Sequence, residues 1–104
     1  PIWMLAEITA QVLHRVLRGD LDLDKVGGLY HLTGSGQVSW YGFASAILEA
    51  SGARTNLIPI PSSEYQAPAK RPTFSVLDNG RFQETFGLAM PDWRLSLAQC
   101  LEEL

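Results

Sequence analysis

The sequence predicts an α/β fold that is mostly helical and holds two short strands, and three observations carry that expectation. Residues 2–18 and 40–51 repeat apolar side chains at helical spacing. Residues 29–33 and 57–61 are short apolar runs bounded by glycine or proline, as strands are. A chain of 104 residues with 46% apolar side chains has material for one core, so residues 1–104 are expected to form a single domain.

In the first helix, Leu5, Ile8, Val12, Leu13, Val16 and Leu17 fall on one side of the wheel, and Gly19-Asp20 ends it. Residues 20–25 read as a charged connection. Leu29-Tyr30-His31-Leu32-Thr33, set between Gly28 and Gly34, reads as a buried strand. The next helix carries Trp40, Phe43, Ala44, Ile47 and Leu48 at i, i+3, i+4, i+7 and i+8, with Ser39 at its N-cap and Gly52 just past its end. In the second strand, over 57–61, Pro59 and Pro61 call for an edge or a strand end, because they cannot donate to a ladder. Residues 61–75 contain Pro61, Pro68 and Pro72 without any period and read as an irregular loop. Asp78 is placed to cap a short helix through Phe82 and Phe86, closed by Gly87. Asp92 is placed to cap the last helix, with Leu95, Ala98, Leu101 and Leu104 as its apolar face. Trp40, Trp93, Phe82 and Phe86 are assigned to the core.

Composition excludes several functions. Eight Lys and Arg against eleven Asp and Glu give a net charge of −3, without the basic footprint of a nucleic-acid binder. Charged residues are 18% of the chain, below the roughly 25% of soluble domains, which implies that something else covers part of the surface. The single Cys100 cannot close an internal disulfide, so a reducing, cytoplasmic setting is expected. No apolar run approaches the roughly 18 residues that span a bilayer, and no membrane partner is expected. Pro1-Ile2-Trp3-Met4-Leu5 lacks the basic start of a signal peptide. The chain has no initiator Met and enters a helix almost at once, as a piece of a longer polypeptide does.

Gly34-Ser35-Gly36-Gln37-Val38-Ser39 lies between a strand pattern and a helix pattern, as a dinucleotide-binding loop would. That loop needs a third small residue for close helix packing and an acidic residue about 20 positions later for the ribose. Ser39 stands at the third position and the acid is missing, so a glycine turn followed by a Ser N-cap fits better. A Tyr-x-x-x-Lys pair, in which lysine lowers the tyrosine pKa for proton donation, is absent: Tyr30, Tyr41 and Tyr65 are followed four places later by Gly34, Ser45 and Ala69. His14 and His31 have no metal-like neighbours and read as surface or packing residues. Chemical potential concentrates in Tyr65-Gln66-Ala67-Pro68-Ala69-Lys70-Arg71-Pro72, where two cations sit between prolines beside an aromatic ring. An Arg held this way presents a planar fork that matches a diphosphate. On spacing alone, a solvated basic pair pinning the loop to acidic neighbours fits equally well.

The same loop carries a resemblance. Pro61-Ser62-Ser63-Glu64-Tyr65, Ala67-Pro68-Ala69-Lys70-Arg71-Pro72, Ser75 and Leu77-Asp78 together resemble the C-terminal region of the dTDP-4-dehydrorhamnose reductase family. That family shows a Thr- or Ser-rich turn, Tyr-Pro-Thr-Pro-Ala-Arg-Arg-Pro, Asn-Ser and Leu-Asp. Gly28-Leu29-Tyr30-His31-Leu32 and Ser39-Trp40-Tyr41-Gly42-Phe43-Ala44 are similar to two more of its signatures, and Phe86-Gly87-Leu88 with Pro91-Asp92-Trp93-Arg94 to its closing ones. Three positions depart from the pattern: Gln66 replaces a proline, Lys70 an arginine and Phe74 an asparagine.

The resemblance implies that the chain is the C-terminal, substrate-binding portion of an NAD(P)-binding, Rossmann-type extended short-chain reductase. Family members reduce dTDP-4-dehydro-L-rhamnose to dTDP-L-rhamnose with NADH or NADPH, in dTDP-rhamnose biosynthesis. Cofactor loop and catalytic tyrosine then belong to an N-terminal Rossmann portion of the same chain, and this piece alone is expected to hold no catalytic or cofactor-binding residue and to be inactive. By similarity to related sugar-nucleotide enzymes, Arg71 is the first candidate for contact with the nucleotide diphosphate, with Lys70, Tyr65 and Ser75 as neighbours. Some members join a dimer through magnesium and glutamates. Glu103 matches one of these but Trp3 takes another's place, so no metal is expected. A homodimer formed through open strand edges or the first helix is a further expectation. The rival class is a non-catalytic binding or regulatory module of the same descent, which an upstream sequence without Tyr-x-x-x-Lys would favour.

Overall fold

The computed structural model describes residues 1–104 and contains five α-helices: α1 (Ile2–Leu17), α2 (Leu23–Val26), α3 (Trp40–Ser51), α4 (Gly80–Phe86) and α5 (Trp93–Glu102). The chain divides into two compact units, one of Pro1–Gly36 with Leu77–Leu104 and one of Gln37–Val76.

In the first unit, α1 ends where Gly19 turns left-handed at φ +80°. The Gly19 amide donates to the Val16 carbonyl and the Asp20 amide to that of Arg15, which together close a Schellman motif. The inward face is Met4, Ile8 and Val12 rather than the leucines: Leu13 is 56% and Leu17 86% exposed. The charged connection contains α2, because the Asp22 carboxylate accepts from the Asp24 amide at 3.0 Å and caps a single turn.

Met4, Ile8, Phe82, Phe86 and Met90 form the core, with Val12, Leu21, Val26, Tyr30, Leu32 and Leu88 packed around them. The Tyr30 ring stands edge-on to Phe82 at 6.0 Å and lies 5.0 Å from Phe86, while Phe82 and Phe86 are 4.9 Å apart. Such ring pairs add about 0.5–1.5 kcal/mol each beyond the area they bury. The Tyr30 hydroxyl donates to the Val26 carbonyl, so its polar end is satisfied as well. Arg81 covers the outside of the ring at 4.8 Å and donates to the Leu29 carbonyl. On the far side, Arg15 donates to the Phe86 carbonyl at 2.6 Å, fastening α1 to the end of α4.

The two expected strands do not form, and this corrects the α/β assignment: the chain is mostly helical and holds no strand. A strand is defined by its ladder, and residues 29–33 find no second strand to pair with. An isolated parallel bridge between Ser35 and Asp92 is what remains of pairing in this unit. The Asn79 amide substitutes locally for a neighbour. Its Oδ1 accepts from the Thr33 amide at 3.0 Å and its Nδ2 donates to the Thr33 carbonyl at 2.9 Å. With Asn79 so engaged, the start of α4 is capped by Asp78, whose carboxylate accepts from the Gly80 amide at 2.8 Å. Asp92 caps α5 as expected. Its inward stripe is Trp93, Leu97 and Leu101, set by the Trp93 amide donating to the Ser35 carbonyl, while Leu95, Ala98 and Leu104 face out.

In the second unit, α3 spans the expected residues. Ser39 Oγ accepts from the Gly42 amide at 3.0 Å, and Gly52 closes the helix at φ +70°. Phe43, Ala44, Ile47 and Leu48 are half-buried. Residues 57–61 form no strand and pair with no other segment, with Ile58 and Ile60 exposed and two prolines removing donors. The loop after them holds one 3₁₀ turn, Ser62–Glu64, and no side chain of this unit is fully buried.

Candidate functional site

Within the second unit, the loop through residues 65–76 and the first turn of α3 enclose an open depression of about 860 Å³. All four side chains singled out in the sequence line it: Tyr65, Lys70, Arg71 and Ser75. Lys70 and Arg71 are its sole charged residues, and no Asp, Glu or His contributes to the lining. Neither cation is spent inside the chain. The ion pairs are Arg18–Asp20 and Arg94–Asp92, and the cation–ring contacts belong to Arg81 and Arg94. A basic pair pinning the loop would need an acidic partner, and Lys70 and Arg71 have none.

Two exposed cations stand side by side on a backbone whose φ is fixed at Pro68 and Pro72, an arrangement whose chemistry suits a multivalent anion. Arg71 offers a flat fork and Lys70 a point charge. Tyr65 and Ser75 hydroxyls stand on the same surface and can donate to oxygens of a bound polar ligand.

Sequence reasoning missed the aromatic side of the depression. Trp40, assigned to the core, is 85% exposed and lines it, together with Tyr41 and Phe74. Periodicity puts Trp40 on the same wheel face as Phe43 and Ile47, but it is the first residue of α3 and overhangs the end of the packed stripe. The usable signal was its position directly after the N-cap. Of the other three aromatics assigned to the core, Phe82 and Phe86 are there and Trp93 is half-buried.

The glycine pair serves a different purpose from a cofactor loop. A Cβ at Gly36, where φ is +84°, would meet the Asp92 carboxylate at 3.0 Å and the Trp93 ring at 3.2 Å, and Gly34 packs on the Trp93 backbone. A dinucleotide's pyrophosphate needs that close approach for itself, and here a carboxylate occupies it. These residues do not fit a nicotinamide cofactor.

Residues 3–104 match the family model described as the RmlD substrate binding domain. The dTDP-4-dehydrorhamnose reductase of Burkholderia thailandensis is 39% identical over 114 residues, covering 100% of this chain and 38% of that protein. The enzyme of the same name from Escherichia coli K12 is 35% identical over 105 residues, covering 95% of this chain and 35% of that protein. The spore coat polysaccharide biosynthesis protein SpsK of Bacillus subtilis is 40% identical over 76 residues, covering 73% of this chain and 26% of that protein. The chain therefore spans little more than a third of the two reductases. No solved structure matches it. With the family model matched over nearly its whole length, the chain belongs to the RmlD substrate binding domain family.

Proposed function

We propose that residues 1–104 are the C-terminal, sugar-nucleotide-binding portion of a dTDP-4-dehydrorhamnose reductase. The intact enzyme reduces dTDP-4-dehydro-L-rhamnose to dTDP-L-rhamnose with NADH or NADPH in the cytoplasm. The observation that carries this reading is the unpartnered Lys70–Arg71 pair on an aromatic-walled depression that contains no carboxylate. The names of the reductase relatives support the choice of substrate.

In this scheme Arg71 grips the diphosphate through two parallel N–H bonds, and Lys70 adds a second positive charge. Tyr65 and Ser75 donate to neighbouring oxygens and fix the orientation of the sugar nucleotide. The diphosphate stays dianionic while the 4-keto carbon is reduced, so these contacts hold ground state and transition state alike and appear mainly in KM. Nicotinamide supplies the hydride when bound by the Rossmann portion of the same polypeptide, which also supplies the Tyr-x-x-x-Lys acid. This portion positions the substrate for that chemistry.

The test is NADPH or NADH oxidation with dTDP-4-dehydro-L-rhamnose. The full-length protein is expected to turn over, and the 104-residue chain alone to stay at the buffer blank. Turnover by the short chain would overturn the assignment of the chemistry to other residues. A full-length protein inert with both cofactors would overturn the reductase reading.

A further inference from the structure

We infer that Phe74 is the residue on which the nucleotide's base stacks, an inference that rests on reading the depression as a nucleoside-diphosphate site. Phe74 is 70% exposed although it has no polar atom to gain from solvent. It lines the same depression as Lys70 and Arg71, facing a surface that also holds Tyr65, at 69% exposure, and Trp40. Exposed aromatic rings next to unpaired cations suit a ligand that is flat and apolar at one end and anionic at the other, as a nucleoside diphosphate is.

Reach is consistent with that pairing. Phe74 lies three positions after Arg71, and three steps of chain span at most about 11 Å. That is the scale of the sugar between a nucleotide's base and its phosphates. Phe74 stands where the resembling family has asparagine, so at this position the protein trades a hydrogen-bonding amide for a ring. Stacking accepts any base, because each one presents a π face. The base therefore gains affinity here without being chosen by hydrogen bonds to Phe74.

The decisive experiment is calorimetric titration of the full-length protein with two probes, dTDP and inorganic diphosphate. Phe74→Ala is expected to weaken dTDP roughly five- to thirtyfold, within the range of base–aromatic stacking, and to leave inorganic diphosphate unchanged. Phe74→Tyr is expected to restore dTDP affinity. Arg71→Ala is expected to weaken both probes. Because Phe74 is exposed, its replacement leaves the fold intact, and equal melting temperatures check this. If Phe74→Ala binds dTDP like the native protein, or weakens both probes equally, the stacking role is overturned while the anion site stands. If the native protein binds neither probe, the site reading itself fails and the stacking role falls with it.

Discussion

Replacing Arg71 by alanine in the full-length protein separates a ligand-binding arginine from a scaffold arginine. Arg71 is exposed and makes no ion pair or hydrogen bond within the chain. Removing it therefore costs the fold no more than about 0.5 kcal/mol, as exposed substitutions away from structural features do. For the longer full-length protein that is a melting shift below roughly 2 °C. The ligand side is different. A charge-assisted bond to phosphate is worth about 1.5–3 kcal/mol, and an exposed guanidinium in physiological salt belongs in the lower half of that range. At 1.36 kcal/mol per factor of ten, kcat/KM falls about ten- to fortyfold. The loss resides in KM, since the diphosphate charge does not change during reduction. Arg71→Lys keeps the charge but loses the fork, and it recovers part of the loss. Steady-state kinetics on native, Ala and Lys forms, with thermal melts alongside, supply the readout. An alanine form with native KM and a clearly lowered melting temperature would refute the reasoning and return Arg71 to the scaffold.

Three further outcomes are expected, all measured on the 104-residue chain. Asn79→Asp puts a carboxylate oxygen against the Thr33 carbonyl where Asn79 donates at 2.9 Å, at a cost of about 1–3 kcal/mol near neutral pH. That contact raises the new carboxyl's folded pKa above its unfolded value, so the penalty is full above the folded pKa and eases as pH falls through it. Urea melts at pH 7 and pH 4 check this, with Asn79→Ala as a variant whose loss does not ease in acid. Phe86→Ala removes a 6%-exposed ring that touches both Tyr30 and Phe82; a loss of about 3–5 kcal/mol is expected, and urea unfolding with a native-like midpoint would contradict the core described above. Ile2, Leu13 and Leu17 on α1 and the nearby-in-sequence Leu29 are all more than half exposed. The chain is expected to bind a hydrophobic dye and to self-associate, and light scattering from a monomer at high concentration would contradict that.

Helix ends were legible in the sequence because caps are local chemistry. Ser39 and Gly52 mark α3, Gly87 closes α4 and Asp92 opens α5. Which side of a helix turns inward was less legible. On α1 the apolar residues run round more than one flank, and periodicity cannot tell the Met4–Ile8–Val12 stripe from the flank with Leu13 and Leu17. Strands were misread for a different reason: an apolar run specifies an extended backbone, but a ladder needs a second segment, and for Thr33 a single amide side chain takes that place. At the site, Tyr65, Lys70, Arg71 and Ser75 were legible as a motif. Trp40, Tyr41 and Phe74 were not, because exposure of an aromatic ring depends on where its helix or loop runs out of neighbours.

The loop that forms the depression is bonded very lightly. Between Pro61 and Val76 its backbone bonds outside the 3₁₀ turn reduce to one short-range link, from the Ala67 amide to the Tyr65 carbonyl, and Tyr65, Lys70, Arg71 and Ser75 make no side-chain hydrogen bond or ion pair with the rest of the chain. A residue on which nothing leans can be exchanged without a toll on folding. All three departures from the resembling family's pattern, Gln66, Lys70 and Phe74, fall in this stretch. Under the proposed function, ligand preference can therefore drift through lineages by single substitutions here, tested by selection for binding alone, while the Tyr30–Phe82–Phe86 cluster of the other unit stays under a separate constraint.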